Sequence, residues 1–304
     1  MEFREVGRTG LRVSRMSLGT NNFGRDVDEA TSVRVIRKAI DLGINSVDTA
    51  NLYTGRRSEE IIGKAMHGDR ERFVIATKVG SEVGEGPDGS GLSPKHILSQ
   101  ITESLRLLQT DHLDIYYMHR FDPETPLGET LKTFDQLIHE GKVRHLACSN
   151  FTVENMRAMN EVSGRMGLEK ISALQPPYNL LNREAERELF PFCRDNDLGV
   201  ITYSPLAGGF LTGKYEDGVP APTGTTIGVR AEIVSKSSIE SSMPTSAAIA
   251  SRCSTPLVDP PVAAMAAIAF SKASRVRTVE GRTSSVTSFI ASAPAATAAC
   301  GLPG

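Results

Sequence analysis

Four side chains of different chemistry stand at or just after apolar, strand-like runs of the sequence. Asp48 ends "INSVD", Tyr53 lies five residues further on, Lys78 is near the end of "RFVIATKVG", and His119 follows "DIYYM". A phenol with the reference pKa of ~10 is a poor acid at neutral pH, and a neighbouring ammonium favours its phenolate form. Lys78 could therefore make Tyr53 a usable proton donor. Asp48 would then fix Lys78 in place and compensate its burial.

Each of these residues alone has an ordinary structural explanation. A histidine after an apolar strand is more often a satisfied structural residue, and a lysine at a strand end commonly extends its charge to solvent. An aspartate in such a position often caps a turn. An acid, a phenol, an amine and an imidazole at consecutive strand ends are harder to explain one by one, so we interpret them as one candidate site.

Strand-like and helix-like segments alternate from about residue 16 to 205. This alternation predicts parallel strands joined by crossover helices. Because no G-x-G-x-x-G follows the first of the seven strands, the pattern favours an α/β fold of the closed (β/α)8 TIM-barrel type over a doubly wound sheet. The opening "FREVGRTGLRVSRM" predicts an N-terminal β-hairpin at the bottom of the barrel.

Local signals predict individual helix boundaries and further polar strand ends. We expect Ser58 to be the N-cap of a helix over 58–67, and Ser93 the N-cap of a helix with Pro94 at its first position. The run "REAERELFPFCRDND" (183–197) predicts another helix. Strand ends meet at the C-terminal face of such a barrel, where active sites lie. The later strands bring the following polar residues there: Ser149, Asn150, Gln175, Tyr203 and Ser204.

The regular pattern stops after about residue 225. Residues 226–304 contain only two leucines, Leu257 and Leu302, and are dominated by alanine, serine and threonine. Such a composition does not offset the cost of ordering the chain. The sequence thus predicts a barrel region over 1–225, with its eighth unit in doubt, and an atypical low-complexity region over 226–304. That region is either divergent or disordered, or it is the product of a changed reading frame near residue 226.

Composition narrows the classes of function. The formal net charge of −2 and the scattered basic residues argue against nucleic acid or an acidic membrane surface as a partner. The charged N-terminus is unlike a signal peptide, and no apolar run reaches the ~18 residues of a membrane span. Four widely separated cysteines predict reduced thiols in a cytoplasmic protein, and six histidines without ligand spacing predict no metal site. Nothing in the sequence indicates the oligomeric state.

Seven segments in order resemble the aldo-keto reductases. They are "LGTNNFG", "SVDTANLYTGRRSEEIIGKAM", "VIATKVG", "DIYYMHRFDP", "GKVRHLACSNF", "ALQPPYNLLNR" and "GVITYSPLAGGFLTGKY", and the match covers about residues 3–220. The last motif is most similar to the group that includes potassium-channel β subunits and many bacterial reductases. The resemblance implies reduction of a small aldehyde or ketone by NADPH, with Asp48, Tyr53, Lys78 and His119 as the catalytic tetrad.

The same resemblance implies a cofactor site. Ser149, Asn150 and Gln175 would hold the nicotinamide carboxamide, and Tyr203 would stack on its ring. Ser204, Leu206 and Lys214 would lie along the pyrophosphate. Gly19, Thr20 and Asp48 would line the nicotinamide-ribose end, and Asn22, Phe23 and Arg120 the substrate pocket. Hydride transfer leaves an alkoxide, which Tyr53 would protonate while His119 orients the carbonyl oxygen.

The sequence departs from the family at the end that grips the adenosine of NADPH. "SRVRTVEGRTSSV" carries Arg275, Arg277 and Arg282 but follows no evident strand, and Thr226 stands where an arginine over the cofactor is common. Two other readings stay open. "GGFLTGK" fits a phosphate-binding loop, although Tyr215 replaces the Ser or Thr that binds magnesium. The chain could also be a catalytically impaired or non-catalytic barrel that senses cofactor or binds a partner.

Overall fold

The structure is a computed structural model that describes residues 1–86, 88–215, 220 and the backbone of 264–269. Its strands are β1 (Phe3–Glu5), β2 (Arg12–Ser14), β3 (Met16–Gly19), β4 (Ser46–Asp48), β5 (Val74–Val79), β6 (Leu113–Met118), β7 (Val143–Ser149), β8 (Ala173–Gln175), β9 (Gly199–Thr202) and β10 (Ala264–Ala269). Its helices are α1 (Glu29–Asp41), α2 (Arg57–Met66), α3 (Pro94–Leu108), α4 (Leu127–His139), α5 (Val153–Met166) and α6 (Leu189–Asp195), with 3-10 helices at Arg70–Arg72, Glu184–Glu186 and Ala207–Thr212.

Seven parallel strands, β3 to β9, form a curled sheet in which each strand pairs with the next along the chain. Each of the helices α1 to α6 lies in the connection between two of them. The chain is therefore α/β, as the alternation of segments predicts, because parallel neighbours need a crossover connection. The carboxyl ends of the strands lie at one edge, where the candidate site forms.

The N-terminal segment forms the predicted hairpin. β1 and β2 pair antiparallel, with Phe3 opposite Ser14. Val6 and Val13 are fully buried and pack in one cluster with Val74, the first residue of β5. The hairpin thus covers the end of the sheet at which the strands begin, opposite the candidate site.

β10 pairs in parallel with β3 on one side and with β9 on the other. It lies within 226–304, where the sequence predicts no regular element. Its sequence, "AMAAIA", is mostly alanine, which has low β-propensity, so the sequence pattern does not reveal it. The predicted low-complexity character of the rest of 226–304 falls outside the described residues.

Side chains alternate between two cores along each strand, as the period of two requires. On β6, Ile115 and Tyr117 pack inside the curled sheet with the hairpin, whereas Tyr116 and Met118 pack outward with the helices. His119 continues the inward series at the strand end, where its backbone N–H donates to Val79. This alternation decides which residues can reach the candidate site.

The predicted N-cap at Ser58 is wrong. α2 begins at Arg57 after Arg56, which has φ 70°, and its first turn receives no side-chain cap. Ser58 is instead buried, and its hydroxyl bonds with those of Thr20 and Thr49 at 2.7 and 2.8 Å. Partners so distant in sequence give no local signal.

The predicted helix over 183–197 is broken in two. A 3-10 helix occupies Glu184–Glu186, and α6 begins at Leu189. Pro191 explains the break, because its ring would clash with the carbonyl group of Arg187 in a continuous helix but is tolerated in a first turn. By contrast, Ser93 and Pro94 begin α3 as expected, with the Ser93 hydroxyl accepting a bond from the backbone of His96.

Candidate active site

Lys78 is at the centre of the site and is completely buried. Its ammonium donates to Asp48 Oδ2 at 2.5 Å and to the backbone oxygen of Thr49 at 2.7 Å. A third contact, at 3.3 Å, goes to the phenol oxygen of Tyr53. All three N–H groups of the ammonium can therefore be satisfied by the protein, as a buried charge requires.

The charge of Lys78 is favoured in this position. Burial opposes it, but the carboxylate of Asp48 and the phenol of Tyr53 outweigh burial, so the pKa of Lys78 lies above its ordinary value. The ammonium also lies 5.0 Å from the ring centroid of Tyr53. A phenolate formed at Tyr53 would be stabilised by this positive charge.

His119 lies across from Tyr53, with the two ring centroids 6.1 Å apart and the planes at 79°. Burial, helped by the charges of Lys78 and Arg120, lowers the pKa of His119 from 6.5 to about 3. The imidazole is therefore neutral at physiological pH. Its Nδ1 is buried and has no hydrogen-bond partner within the described residues. A neutral imidazole in this position can donate one hydrogen bond to an oxygen beside Tyr53.

A second polar group adjoins the tetrad on the ends of β7, β8 and β9. Gln175 donates to Asp48 Oδ1 at 2.8 Å, and the Ser149 hydroxyl donates to the backbone oxygen of Gln175 at 2.8 Å. Asn150 donates to Ser149 Oγ at 3.1 Å and accepts from the Tyr203 hydroxyl at 2.7 Å. These side chains offer both donors and acceptors beside Asp48, which fits a carboxamide.

Strand β3 supplies the neighbouring wall. Gly19 lies opposite Asp48 in the register of β3 and β4. Thr20 is fully buried, and its hydroxyl donates to the backbone oxygen of Asp48 at 2.8 Å. Thr20 thus fixes the strand end that carries Asp48, a role that sequence reasoning did not assign to it.

The remaining predicted cofactor residues lie on the loop after β9. Ser204 has φ 58°, and its carbonyl accepts from Asn179 at 3.0 Å. Leu206 is 40% exposed, and the Lys214 ammonium lies 5.4 Å from the ring centroid of Tyr215. None of the contacts described for these residues joins them to the tetrad. Within "GGFLTGK", Gly208 and Gly209 have φ 67° and 96° and interrupt the 3-10 segment Ala207–Thr212, and Tyr215 stands where a phosphate-binding loop needs a serine or threonine.

The three predicted pocket residues differ in their surroundings. Asn22 is partly buried and accepts a bond from Arg25 through its side chain at 2.9 Å. Phe23 is 1% exposed and belongs to the main core, so its predicted place in the lining of an open pocket is wrong. Arg120 is exposed next to His119. Thr226 and the basic run with Arg275, Arg277 and Arg282 lie outside the described residues.

Two contributors to the site were missed at the sequence level. The backbone oxygen of Thr49 accepts a hydrogen bond from Lys78. The pattern of side chains in the sequence cannot predict a contact made by a backbone carbonyl group. Tyr117 is buried beneath Lys78, whose ammonium lies 5.9 Å from the Tyr117 ring centroid. The place of Tyr117 could have been predicted from the sequence, because the alternation of side chains along a strand puts Tyr117 on the same face as His119.

No group of three or more potential metal ligands occurs in the part of the chain that the structure describes. No helix in these segments is long and apolar enough to cross a membrane. Cys148 and Cys193 are buried free thiols.

Known proteins are similar to this chain over more than two thirds of its length. The profile of the aldo/keto reductase family matches residues 15–255. The uncharacterized oxidoreductase YrpG of Bacillus subtilis is 42% identical over 248 residues, covering 78% of this chain and 75% of the relative. The L-glyceraldehyde 3-phosphate reductase of Escherichia coli K12 is 38% identical over 231 residues, covering 72% and 66%. A putative voltage-gated potassium channel subunit beta of Schizosaccharomyces pombe is 38% identical over 227 residues, covering 72% and 65%.

The chain belongs to the aldo/keto reductase family. The predicted resemblance, including the group with bacterial reductases and potassium-channel β subunits, is confirmed. The family and its relatives support an oxidoreductase role, and members of this family generally use nicotinamide cofactors.

Proposed function

We propose that the protein reduces a small aldehyde or ketone to an alcohol with NADPH, using a proton from Tyr53. The observation that carries this proposal is the contact of a buried, charged Lys78 with both Asp48 and Tyr53. A lysine held in this way costs desolvation, which its ion pair and hydrogen bonds offset. Its use is to stabilise negative charge on the phenol oxygen.

The cofactor would be held by Ser149, Asn150 and Gln175 at its carboxamide, and by Tyr203 beside the ring. The donors and acceptors of the first three residues, joined to one another and to Asp48, support this assignment. Ser204, Leu206 and Lys214 would border the pyrophosphate, with Gly19 and Thr20 near the ribose. A bound nicotinamide supplies the hydride that reduces the carbonyl carbon.

Residues of the protein bind and protonate the carbonyl oxygen of the substrate. His119, neutral at physiological pH, donates a hydrogen bond to the substrate oxygen and orients it toward Tyr53. Tyr53 passes its proton to this oxygen as negative charge develops. Lys78 stabilises the phenolate that remains, and Asp48 with Thr49 keeps the ammonium in position. The small sugar aldehyde in the name of one relative makes glyceraldehyde 3-phosphate a suitable first substrate.

The proposed fold is a (β/α)8 barrel with β10 as its eighth strand. The pairing of β10 with both β3 and β9 supports closure. Closure would leave no strand of the sheet with an open edge. The protein is proposed to act in the cytoplasm, where a supply of reduced cofactor and thiols is maintained.

Thermal unfolding with and without excess NADPH tests the cofactor part of the proposal, and NADH provides the comparison. A ligand that binds only the folded state at 100 times its dissociation constant adds about 2.7 kcal/mol. We expect a clear rise of the transition midpoint with NADPH and turnover of glyceraldehyde 3-phosphate or 4-nitrobenzaldehyde. The absence of both would contradict the proposal.

A non-catalytic, partner-binding barrel is the second candidate, favoured by the similarity to proteins named as potassium channel β subunits. The two candidates differ in one result. A midpoint that rises with NADPH, while a panel of aldehydes and ketones shows no turnover, would favour the binding role. The intact contacts of Lys78 with Asp48 and Tyr53 favour catalysis, because binding a partner does not require an activated phenol.

A further inference from the structure

Tyr117 is the direct cross-strand neighbour of Lys78. The two residues are Cα partners in the parallel pairing of β5 and β6. Tyr117 points into the curled sheet with Ile115, and it is completely inaccessible to solvent. Its ring therefore lies directly below the centre of the site.

Two aromatic rings flank the Lys78 ammonium. The centroid of the Tyr53 ring is 5.0 Å away and that of the Tyr117 ring 5.9 Å away. The negative face of an aromatic ring attracts a cation within about 6 Å, and the attraction grows when water is excluded. The ammonium therefore has an attractive, fully buried aromatic surface on the side of Tyr117.

The hydroxyl of Tyr117 does not explain its place. It makes no hydrogen bond of ordinary geometry within the described residues, and its interaction with the side chain of Gln175 is the weakest of the influences on its pKa. Burial and the charge of Asp48 raise the pKa of Tyr117 well above its ordinary value, so the phenol stays neutral. What Tyr117 offers to the site is its ring.

The same strand contains a matched comparison. Tyr116 is also fully buried, and its hydroxyl also makes no hydrogen bond of ordinary geometry among the described residues. Its ring packs outward, with its centroid 5.3 Å from that of Phe134. The two tyrosines share residue type, strand and burial, but only Tyr117 faces Lys78.

We propose that Tyr117 is a positioning residue: the face of its ring holds the Lys78 ammonium against Tyr53 and keeps water from the ammonium. The inference rests on the proposed function, since it concerns the lysine that supports proton donation. An unbranched side chain in place of the ring would fill similar space but would not attract the charge. Lys78 would then be held less firmly beneath the phenol.

The test compares Tyr117→Phe, Tyr117→Met and Tyr116→Met in the full-length protein. With NADPH and 4-nitrobenzaldehyde, we expect Tyr117→Met to lower kcat about 10-fold to 30-fold, the scale of a desolvated cation–π contact. Tyr117→Phe should stay within about 3-fold of wild type, because the ring remains. Tyr116→Met should lose comparable thermal stability but keep kcat within about 2-fold.

Equal effects of Tyr117→Met and Tyr116→Met on kcat, or of Tyr117→Met and Tyr117→Phe, would overturn the proposal. Should Tyr117→Met fail to fold, pentafluorophenylalanine at position 117 keeps the ring shape and reverses its charge distribution. It should lower kcat as Tyr117→Met does. Turnover equal to that of Tyr117→Phe would then overturn the proposal.

A readout without turnover separates this inference from the proposed function. The titration of Lys78 can be followed by NMR in protein labelled at lysine 13Cε. Loss of the ring should lower the titration midpoint of Lys78, since the ring favours the ammonium, whereas Tyr117→Phe should not. An unchanged midpoint in Tyr117→Met would contradict the inference even if wild type proved inactive. Four other ionisable groups face Lys78 and are identical in all variants: Asp48, Tyr53, His119 and Tyr203.

Discussion

Lys78 and Asp48 form an ion pair with an N–O distance of 2.5 Å across neighbouring strands, with both side chains almost completely shielded from solvent. The carboxylate is held on its other oxygen by Gln175. The pair therefore links β4, β5 and β8. In the proposed mechanism it also holds the ammonium that stabilises a phenolate at Tyr53, and mutation can separate these two roles.

Replacing Lys78 by methionine leaves the Asp48 carboxylate buried without its cation. Breaking a buried pair by removing one partner typically costs about 3–5 kcal/mol. We expect Lys78→Met to lower the free energy of unfolding in urea by this order and to abolish turnover.

The double variant Asp48→Asn/Lys78→Met provides the control for this prediction. Because it removes both charges, it should be more stable than the sum of the two single losses implies. Strictly additive losses would show that the two groups do not interact in the folded protein. Turnover should be absent in Asp48→Asn, in Lys78→Met and in the double variant.

The low pKa of His119 predicts a pH dependence of stability. The folded state keeps His119 neutral down to about pH 3, whereas the unfolded state protonates it near 6.5. The unfolded state thus binds the extra proton, and the contribution of His119 to stability is lost as the pH falls below 6.5. At pH 5 this loss should be roughly 2 kcal/mol relative to pH 7.

The His119→Asn variant isolates that contribution. The difference in unfolding free energy between wild type and His119→Asn should shift with pH between 7 and 4. Other titrating groups, such as His145, whose pKa burial also lowers, contribute equally to both proteins. A pH-independent difference would mean that the imidazole is as accessible to protons in the folded state as in the unfolded state.

The pairing of β10 with β3 and β9 leads to a prediction about truncated forms of the chain. Ending the chain at residue 225 removes β10 and exposes the edges of β3 and β9, which should promote aggregation. Ending it at residue 272 retains β10, which ends at Ala269. We expect cooperative unfolding and solubility only for the longer fragment and the full chain. A monomeric, cooperatively folded 1–225 fragment would contradict barrel closure by β10.

The sequence indicated the cluster of Asp48, Tyr53, Lys78 and His119 because strand ends in a parallel sheet converge. Asp48, Lys78 and His119 could be placed together because each lies at the end of a strand. Tyr53 could be added because it follows Asp48 by only five residues in the sequence. The alternation that supports this reasoning also gave the order of strands, whereas the hairpin was predicted from the opening segment "FREVGRTGLRVSRM".

Other features depend on contacts that leave no pattern in the sequence. Ser58 looks like a helix cap, but its hydroxyl is taken by Thr20 and Thr49, which are neighbours only in the fold. In the sequence, Tyr117 looks like an ordinary core tyrosine. Its contact with Lys78 is visible only in the structure. β10 is hidden by its alanines, because its strand state comes from two partner edges rather than from local propensity.

The most direct measurement is single-turnover reduction of 4-nitrobenzaldehyde by wild type and Tyr53→Phe, with NADPH dissociation constants measured in parallel. Removing a general acid typically costs 10²–10⁴-fold in rate. We expect a loss in this range for Tyr53→Phe, with NADPH affinity and unfolding midpoint close to those of wild type. Equal rates in the two proteins would show that Tyr53 is not the proton donor and would contradict the proposed mechanism.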